Sequence, residues 1–170
     1  HLVSEVNTHH HTQSCRKHGQ LNCRFCFPKL PTSKTIISVP FKFIEKEGVE
    51  LDMEQKYEIY REQQNVLQEI KDLLDDDEMI RELVGLPVDI QIEELCQQVD
   101  ISVEYYYEAL KYSYNKYSVH YKRRVEERYV NNYNKEWLMN WNGNMDIQIC
   151  LDYFAVVSYI TDYVTKDERG

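Results

Sequence analysis

The first 35 residues carry the tightest constraint in this chain. They are polar and contain "HHHTQSCRK" and "CRFCFP", which place His9, His10, His11 and Cys15 ahead of a Cys-x-x-Cys pair, Cys23 and Cys26. A segment of this composition, closing on Pro28, Pro31 and a Thr-Ser-Lys-Thr run, cannot bury enough apolar surface to fold by itself, so it needs a staple. Three of the five cysteines crowd into twelve residues, and an odd total argues for metal binding over a disulfide scaffold. Zinc takes four soft or borderline ligands in a tetrahedron, and binding it gives a polar segment its fold. The candidates for a structural Zn²⁺ are Cys15, Cys23 and Cys26 with a histidine, for which His11, His9 and His18 compete. A histidine-rich tail with unliganded thiols is the plainer alternative, but the spacing of the histidines to Cys15 and to a Cys-x-x-Cys pair speaks against it. Cys96 and Cys150 stand alone in apolar surroundings.

The rest of the 170 residues suffices for one domain, or one modest core with an appended module. No apolar run approaches the length of a membrane span or signal peptide, so no membrane partner is expected. The net charge of −9 hides a division: Glu45 to Glu104 carries 19 acidic and 5 basic residues, and the flanks carry 10 and 15. Only the flanks qualify as a phosphate-binding surface. There is no Walker-type glycine loop and no repeat of 20 to 50 residues, so this segment is not itself an ATPase.

The expected fold is α+β, rich in helix, with a few short strands behind a zinc module. Its parts are a His/Cys module at 1–35, an acidic helical region at 36–116, and a strand-helix segment at 117–170. "IISVPFKFI", Ile36 to Ile44, has β-prone halves around Pro40 and predicts an edge strand or extended connector. Helices are predicted over Asp52–Leu74, Met79–Val84 before Gly85-Leu86-Pro87, Ile90–Val99, and after a Ser102 cap. Tyr117–Val125 holds a short strand, Asn134 caps a helix that Gly143 ends, and "MDIQICL" alternates as a strand before a final helix. Tyr57, Tyr60, Tyr105, Tyr106, Tyr112 and Tyr114 are expected to be half-buried or surface aromatics.

On a helical projection of "DYFAVVSYITDYVTK" at about 100° per residue, Tyr153, Val157, Ile160 and Val164 gather into one stripe, the expected core face. Tyr159, Tyr163 and Lys166 fall on the opposite side, between about 120° and 180°. Such i, i+4 pairs are common on any helix, and packing competes with function. The chemistry that uses two tyrosines and a lysine is covalent phosphoryl transfer, with a hydroxyl as nucleophile and a cation offsetting charge. Lys122, Arg123, Arg124 and Arg128, with Tyr121, form a candidate DNA-guiding cluster, set against a merely solvated basic turn. Asp146 and Gln148 are placed to approach the tyrosines, or simply face solvent.

The stretches "HHHTQSCRK", "CRFCFP" and "VHYKRRVEERYVNNYNKEWLMNWNGNMDIQICLDYFAVVSYITDYVTKDERG" together resemble the Helitron-type replication initiator-helicases, in the domain that precedes the helicase. The likeness lies in the two ends of the chain, and the acidic middle matches loosely. It implies a rolling-circle nuclease of the His-hydrophobe-His class that nicks and rejoins single-stranded DNA. Tyr159, Tyr163 and Lys166 then match Y-x-x-x-Y-x-x-K, in which a tyrosine becomes joined to a 5′ phosphate. His9, His11, Cys15 and Cys23 match the family's His and Cys motif, and Cys26 stands where a glycine is expected. His9 and His11 have a histidine between them and polar neighbours, so they are assigned to zinc. The histidine pair that would hold catalytic Mg²⁺ or Mn²⁺ is expected upstream, in a longer parent protein. The resemblance further implies a nuclear location or an intracellular viral replication site, and no small-molecule substrate for this segment. A non-catalytic zinc-stabilised DNA-binding or protein-interaction module is the competing expectation.

Overall fold

The computed structural model describes residues 2–12, 15, 23, 25–145, 147 and 153–165, with Leu2, Ser4, Ala155 and Tyr163 described by their backbone. Helices α1 (Leu2–Val6), α2 (Met53–Leu74), α3 (Asp77–Leu83), α4 (Val88–Gln98), α5 (Val103–Leu110), α6 (Lys135–Trp141) and α7 (Tyr153–Val164) accompany strands β1 (Ile36–Pro40), β2 (Tyr112–Ser113) and β3 (Ser118–His120). The fold is α+β, as the sequence predicts.

Helix boundaries follow local chemistry. The Asp52 carboxylate accepts the Gln55 N–H at 2.8 Å while the Gln55 side chain accepts the Asp52 N–H at 3.0 Å, so two otherwise orphaned donors at the start of α2 are satisfied. Asp76 caps α3 and Ser102 caps α5 by accepting backbone N–H groups of the first turn, without the reciprocal bond. Past α3, Gly85 takes φ 88°, a left-handed conformation that a side chain would strain, and the chain turns into α4. At the end of α6 it is Asn142, with φ 51°, that occupies the left-handed cap, one residue before the predicted Gly143.

The core forms where α2 lays Leu67, Ile70 and Leu74 against Ile80 and Leu83 of α3, Ile92, Leu95 and Cys96 of α4, and Tyr106, Ala109 and Leu110 of α5. Each fully buried side chain of this kind contributes about 1.5–3 kcal/mol. The first turns of α2 leave the core, and Tyr57 and Tyr60 join Phe41 and Tyr114 in a surface cluster with ring centroids 5.4–6.5 Å apart. Tyr106 departs from its expected surface role. It is 1% exposed, and its hydroxyl donates to the Pro31 carbonyl at 2.7 Å.

β1 is the centre of a three-stranded sheet, not an edge, with order β2-β1-β3. It pairs antiparallel with β3 (Ile36 opposite His120) and parallel with β2 (Val39 opposite Tyr112). Pro40 is tolerated because it is the strand's last residue, and the ladder bond there comes from the Val39 N–H to Lys111 O at 2.8 Å. His120 lies against the body of the protein, where burial, with Lys71 and Lys29 adding to it, pushes its imidazole down to about 4.

The N-terminal segment touches the later part of the chain at several points. Thr8 bridges Val130, Thr32 bridges Arg123, and the buried Asn7 amide donates to Asn131 O while its carbonyl accepts the Met145 N–H, both at 2.9 Å. The stripe of α7 faces solvent instead of a core, with Tyr153 76%, Ile160 55% and Val164 67% exposed. Periodicity fixes which residues share a face, but it does not supply a partner for that face. Of "MDIQICL", Met145 and Ile147 are in no strand and residues 146 and 148–151 lie outside the described residues.

The Tyr106 bond yields a test. Tyr106→Phe leaves the Pro31 carbonyl without its donor and should lower the unfolding free energy in urea by about 1–2 kcal/mol. Tyr105→Phe, on the exposed side of the same helix, should stay within about 0.5 kcal/mol.

Candidate metal centre

Two short stretches, residues 9–12 with Cys15 and residues 25–29 with Cys23, meet against the loop that precedes α6. The His9 N–H donates to Tyr129 O at 2.7 Å and the Lys29 N–H to Arg128 O at 2.7 Å, so both stretches are pinned to the same neighbour. That pinning brings one donor atom each from His9, His11, Cys15 and Cys23 within 4.8 Å of one another. Cys15 and Cys23 are buried, and the histidines are half-buried.

Two nitrogen–sulfur edges of the group have tetrahedral lengths. His9 Nε2 lies 3.4 Å from Cys23 Sγ, and His11 Nδ1 lies 3.5 Å from Cys15 Sγ. Metal–nitrogen bonds of about 2.0 Å and metal–sulfur bonds of about 2.3 Å at the tetrahedral angle put nitrogen and sulfur about 3.5 Å apart. Two imidazoles and two thiols are a donor set compatible with zinc. The Thr12 N–H donates to Cys15 Sγ at 3.2 Å, which orients the sulfur. Burial, with His11, His10 and Lys29 adding to it, holds His9 below the ordinary imidazole range, so it is more readily the neutral ligand a metal requires.

Aromatic rings wall the group. Phe27 stacks on His9 with centroids 4.4 Å apart and planes within 7°, Phe25 meets His9 edge-on at 5.7 Å, and Tyr129 meets His11 edge-on at 5.7 Å. The Tyr129 hydroxyl donates to Asp75 at the end of α2, so one ring links the cluster to the helical core. Sequence reasoning passed over Phe27 and Tyr129. Phe27 stands within the motif itself, which was a usable signal, whereas Tyr129 comes from more than 100 residues away.

Cys26, a predicted ligand, stands apart from the four donors. It is exposed, and its backbone adopts φ 59°, closing a turn with its N–H on Cys23 O at 2.8 Å. That left-handed conformation costs a side-chain-bearing residue about 1–2 kcal/mol and costs glycine almost nothing. A glycine is what the resemblance leads one to expect there. His18 lies outside the described residues.

The other predicted site residues do not converge. α7 carries Tyr159, 66% exposed, with residue 163 one turn further on; the Tyr163 side chain and Lys166 lie outside the described parts, as do Asp146 and Gln148. The basic cluster divides by the alternation of extended backbone. Lys122 and Arg124 point outward, while Arg123 between them is 7% exposed. Arg123 donates to Glu127 O, to Val130 O at 2.7 Å and to Asn132 Oδ1 at 3.1 Å, so its guanidinium organises the loop. Arg128 is also largely sequestered, with its guanidinium 3.5 Å from Asp77 and stacked on Tyr129. Arg124 donates to Leu86 O and pairs with Glu126, which leaves Lys122 as the most accessible cation of the four.

No family model, curated protein or solved structure matches this chain. The candidate metal group therefore rests on its own geometry, which leads to a direct prediction. Chelation of the metal-loaded chain should lower its melting temperature, and Cys15→Ala should abolish metal binding, so that its metal-treated and chelated melting curves coincide. An unchanged curve on chelation would mean that no metal holds the N-terminal segment.

Proposed function

We propose that this chain is a zinc-stabilised domain of a protein that nicks and rejoins single-stranded DNA through a tyrosine-phosphate intermediate, with a helicase elsewhere in the parent. Zinc is held by His9, His11, Cys15 and Cys23. With all four positions taken by protein there is no open site for substrate, so its role is structural. The nucleophiles are Tyr159 and Tyr163. The observation that carries the reading is the solvent-exposed α7, on which Tyr159 is 66% exposed and a second tyrosine follows one turn on. The resemblance to Helitron-type initiators supplies the reaction class.

In that reaction the Tyr159 oxygen attacks a backbone phosphorus, the bond to the 3′ oxygen breaks, and the departing oxygen takes the proton released by the phenol. The 5′ phosphate is left on the tyrosine. Tyr163, about 6 Å along the helix axis, can accept a second strand. Lys166 offsets the charge that develops on the phosphate. Histidines elsewhere in the parent would hold Mg²⁺ or Mn²⁺, and the ion would supply polarisation of the phosphate. Lys122 and Arg124 guide the DNA backbone. The parent acts in the nucleus or at an intracellular viral replication site.

A second reading has its own support: the one donor group that converges among the described residues is closed by four protein ligands, as in a binding module. In that case the tyrosines stack on bases without reacting. The two readings separate in one experiment on the parent protein, with a 3′-labelled single-stranded oligonucleotide and Mn²⁺, analysed on a denaturing gel. The nuclease predicts a covalent adduct that disappears in the Tyr159→Phe, Tyr163→Phe double variant. Adduct of equal intensity in the variant would overturn the assignment of the tyrosines. Salt-sensitive binding without adduct in the unaltered protein would favour the module.

A further inference from the structure

The fifth cysteine-histidine motif member, Cys26, has no place in the metal cluster, yet it is held against it. It is exposed, whereas Cys15 is 1% and Cys23 7% exposed. The hydrogen bond from Cys26 N to Cys23 O at 2.8 Å closes a four-residue turn between them. Such a turn keeps its end Cα atoms under about 7 Å apart, which overlaps the span of about 4.4–6.8 Å that a disulfide requires. A solvent-facing thiol thus sits within bonding reach of a buried thiol that ligates the metal.

We propose that Cys26 is an oxidation site that discharges the metal: it reacts first with a peroxide and then captures Cys23 as a disulfide. This rests on the zinc reading of the four-residue cluster given above. Exposure decides the order of events, because susceptibility to oxidation follows access as well as thiolate character. In the first step the Cys26 sulfur attacks hydrogen peroxide, the O–O bond breaks, and sulfenic acid and one water result. In the second, the Cys23 thiolate leaves the metal and attacks the Cys26 sulfur. The S–O bond breaks and the released hydroxide takes a proton to become a second water. Two sulfurs are oxidised by two electrons in total, and the peroxide is the species reduced. The metal is left with His9, His11 and Cys15, one ligand short of the tetrahedral set that structural zinc uses. Loss of the metal loosens the hold of the cluster on the loop at Tyr129. A thiol reductant reverses the sequence by exchange at the disulfide.

The test uses the full chain loaded with one Zn²⁺ and treated with hydrogen peroxide. Zinc release is followed with a chromogenic chelator, and disulfides are mapped by peptide mass spectrometry after alkylation. The unaltered chain should release zinc in step with a Cys23–Cys26 disulfide and take it up again after dithiothreitol. Cys26→Ser should bind zinc with the same stoichiometry and release it at least tenfold more slowly. Equal release rates in the two proteins would overturn the proposal, as would a Cys15–Cys23 disulfide as the main product. Failure of Cys26→Ser to bind zinc would overturn it by making Cys26 a ligand. Failure of the unaltered chain to bind zinc would instead refute the zinc reading, and this proposal with it.

Discussion

Ahead of β1 a polar segment gathers His9, His11, Cys15 and Cys23, a group that could hold a metal ion, beside the few apolar side chains it buries, Phe27 and Leu30. Backbone pairing alone would not hold it. The bridges at Thr8 and Thr32 are isolated ones, and a short two-stranded pairing is marginal in water. A metal ion adds binding free energy that becomes folding free energy, on the order of 10 kcal/mol or more for structural zinc. With it, the rings of Phe27 and Tyr129 have a fixed object to pack on.

Tyr129 and Arg128 carry that anchoring into the helical core. The Tyr129 hydroxyl reaches Asp75 and the Arg128 guanidinium approaches Asp77, so the acidic run between α2 and α3 receives the basic loop. A neighbouring contact works alike: the buried Gln91 amide donates to Glu126 Oε2 at 3.0 Å and its carbonyl accepts the Val125 N–H at 3.2 Å. The Glu126 carboxyl is held below its ordinary range, because these hydrogen bonds from Gly85 and Gln91, with Arg124, outweigh the opposing effect of burial. The charge division along the sequence is therefore partly internal. Part of the basic flank neutralises the acidic middle and is not available for a phosphate surface.

What could be read from the sequence was local. Helix starts at Asp52 and Ser102 are written within four residues, as side chain and backbone donor, and the cysteine-histidine spacing is nearly as local. The losses came wherever a long-range partner decides. β1 is central only because chain from beyond residue 110 returns to both of its sides. Arg123 turns inward because Thr32 pairs with it, which "YKRRVEER" cannot disclose. The apolar stripe of α7 has the period of a buried face and yet remains exposed. Cys26 was taken for a ligand on spacing, but its left-handed turn directs it elsewhere.

Function is divided in the same way. The group of His9, His11, Cys15 and Cys23 has a defined geometry, while the nuclease proposal rests on one exposed helix and a resemblance. The cluster is therefore the claim on which the account turns. X-ray absorption at the zinc edge of the purified, zinc-loaded chain tests it most directly, since nitrogen and sulfur scatterers differ in number and distance. The account predicts two sulfurs at about 2.3 Å and two imidazole nitrogens at about 2.0 Å. Three sulfurs would restore Cys26 to the ligand set, and a shell dominated by oxygen would contradict the site altogether.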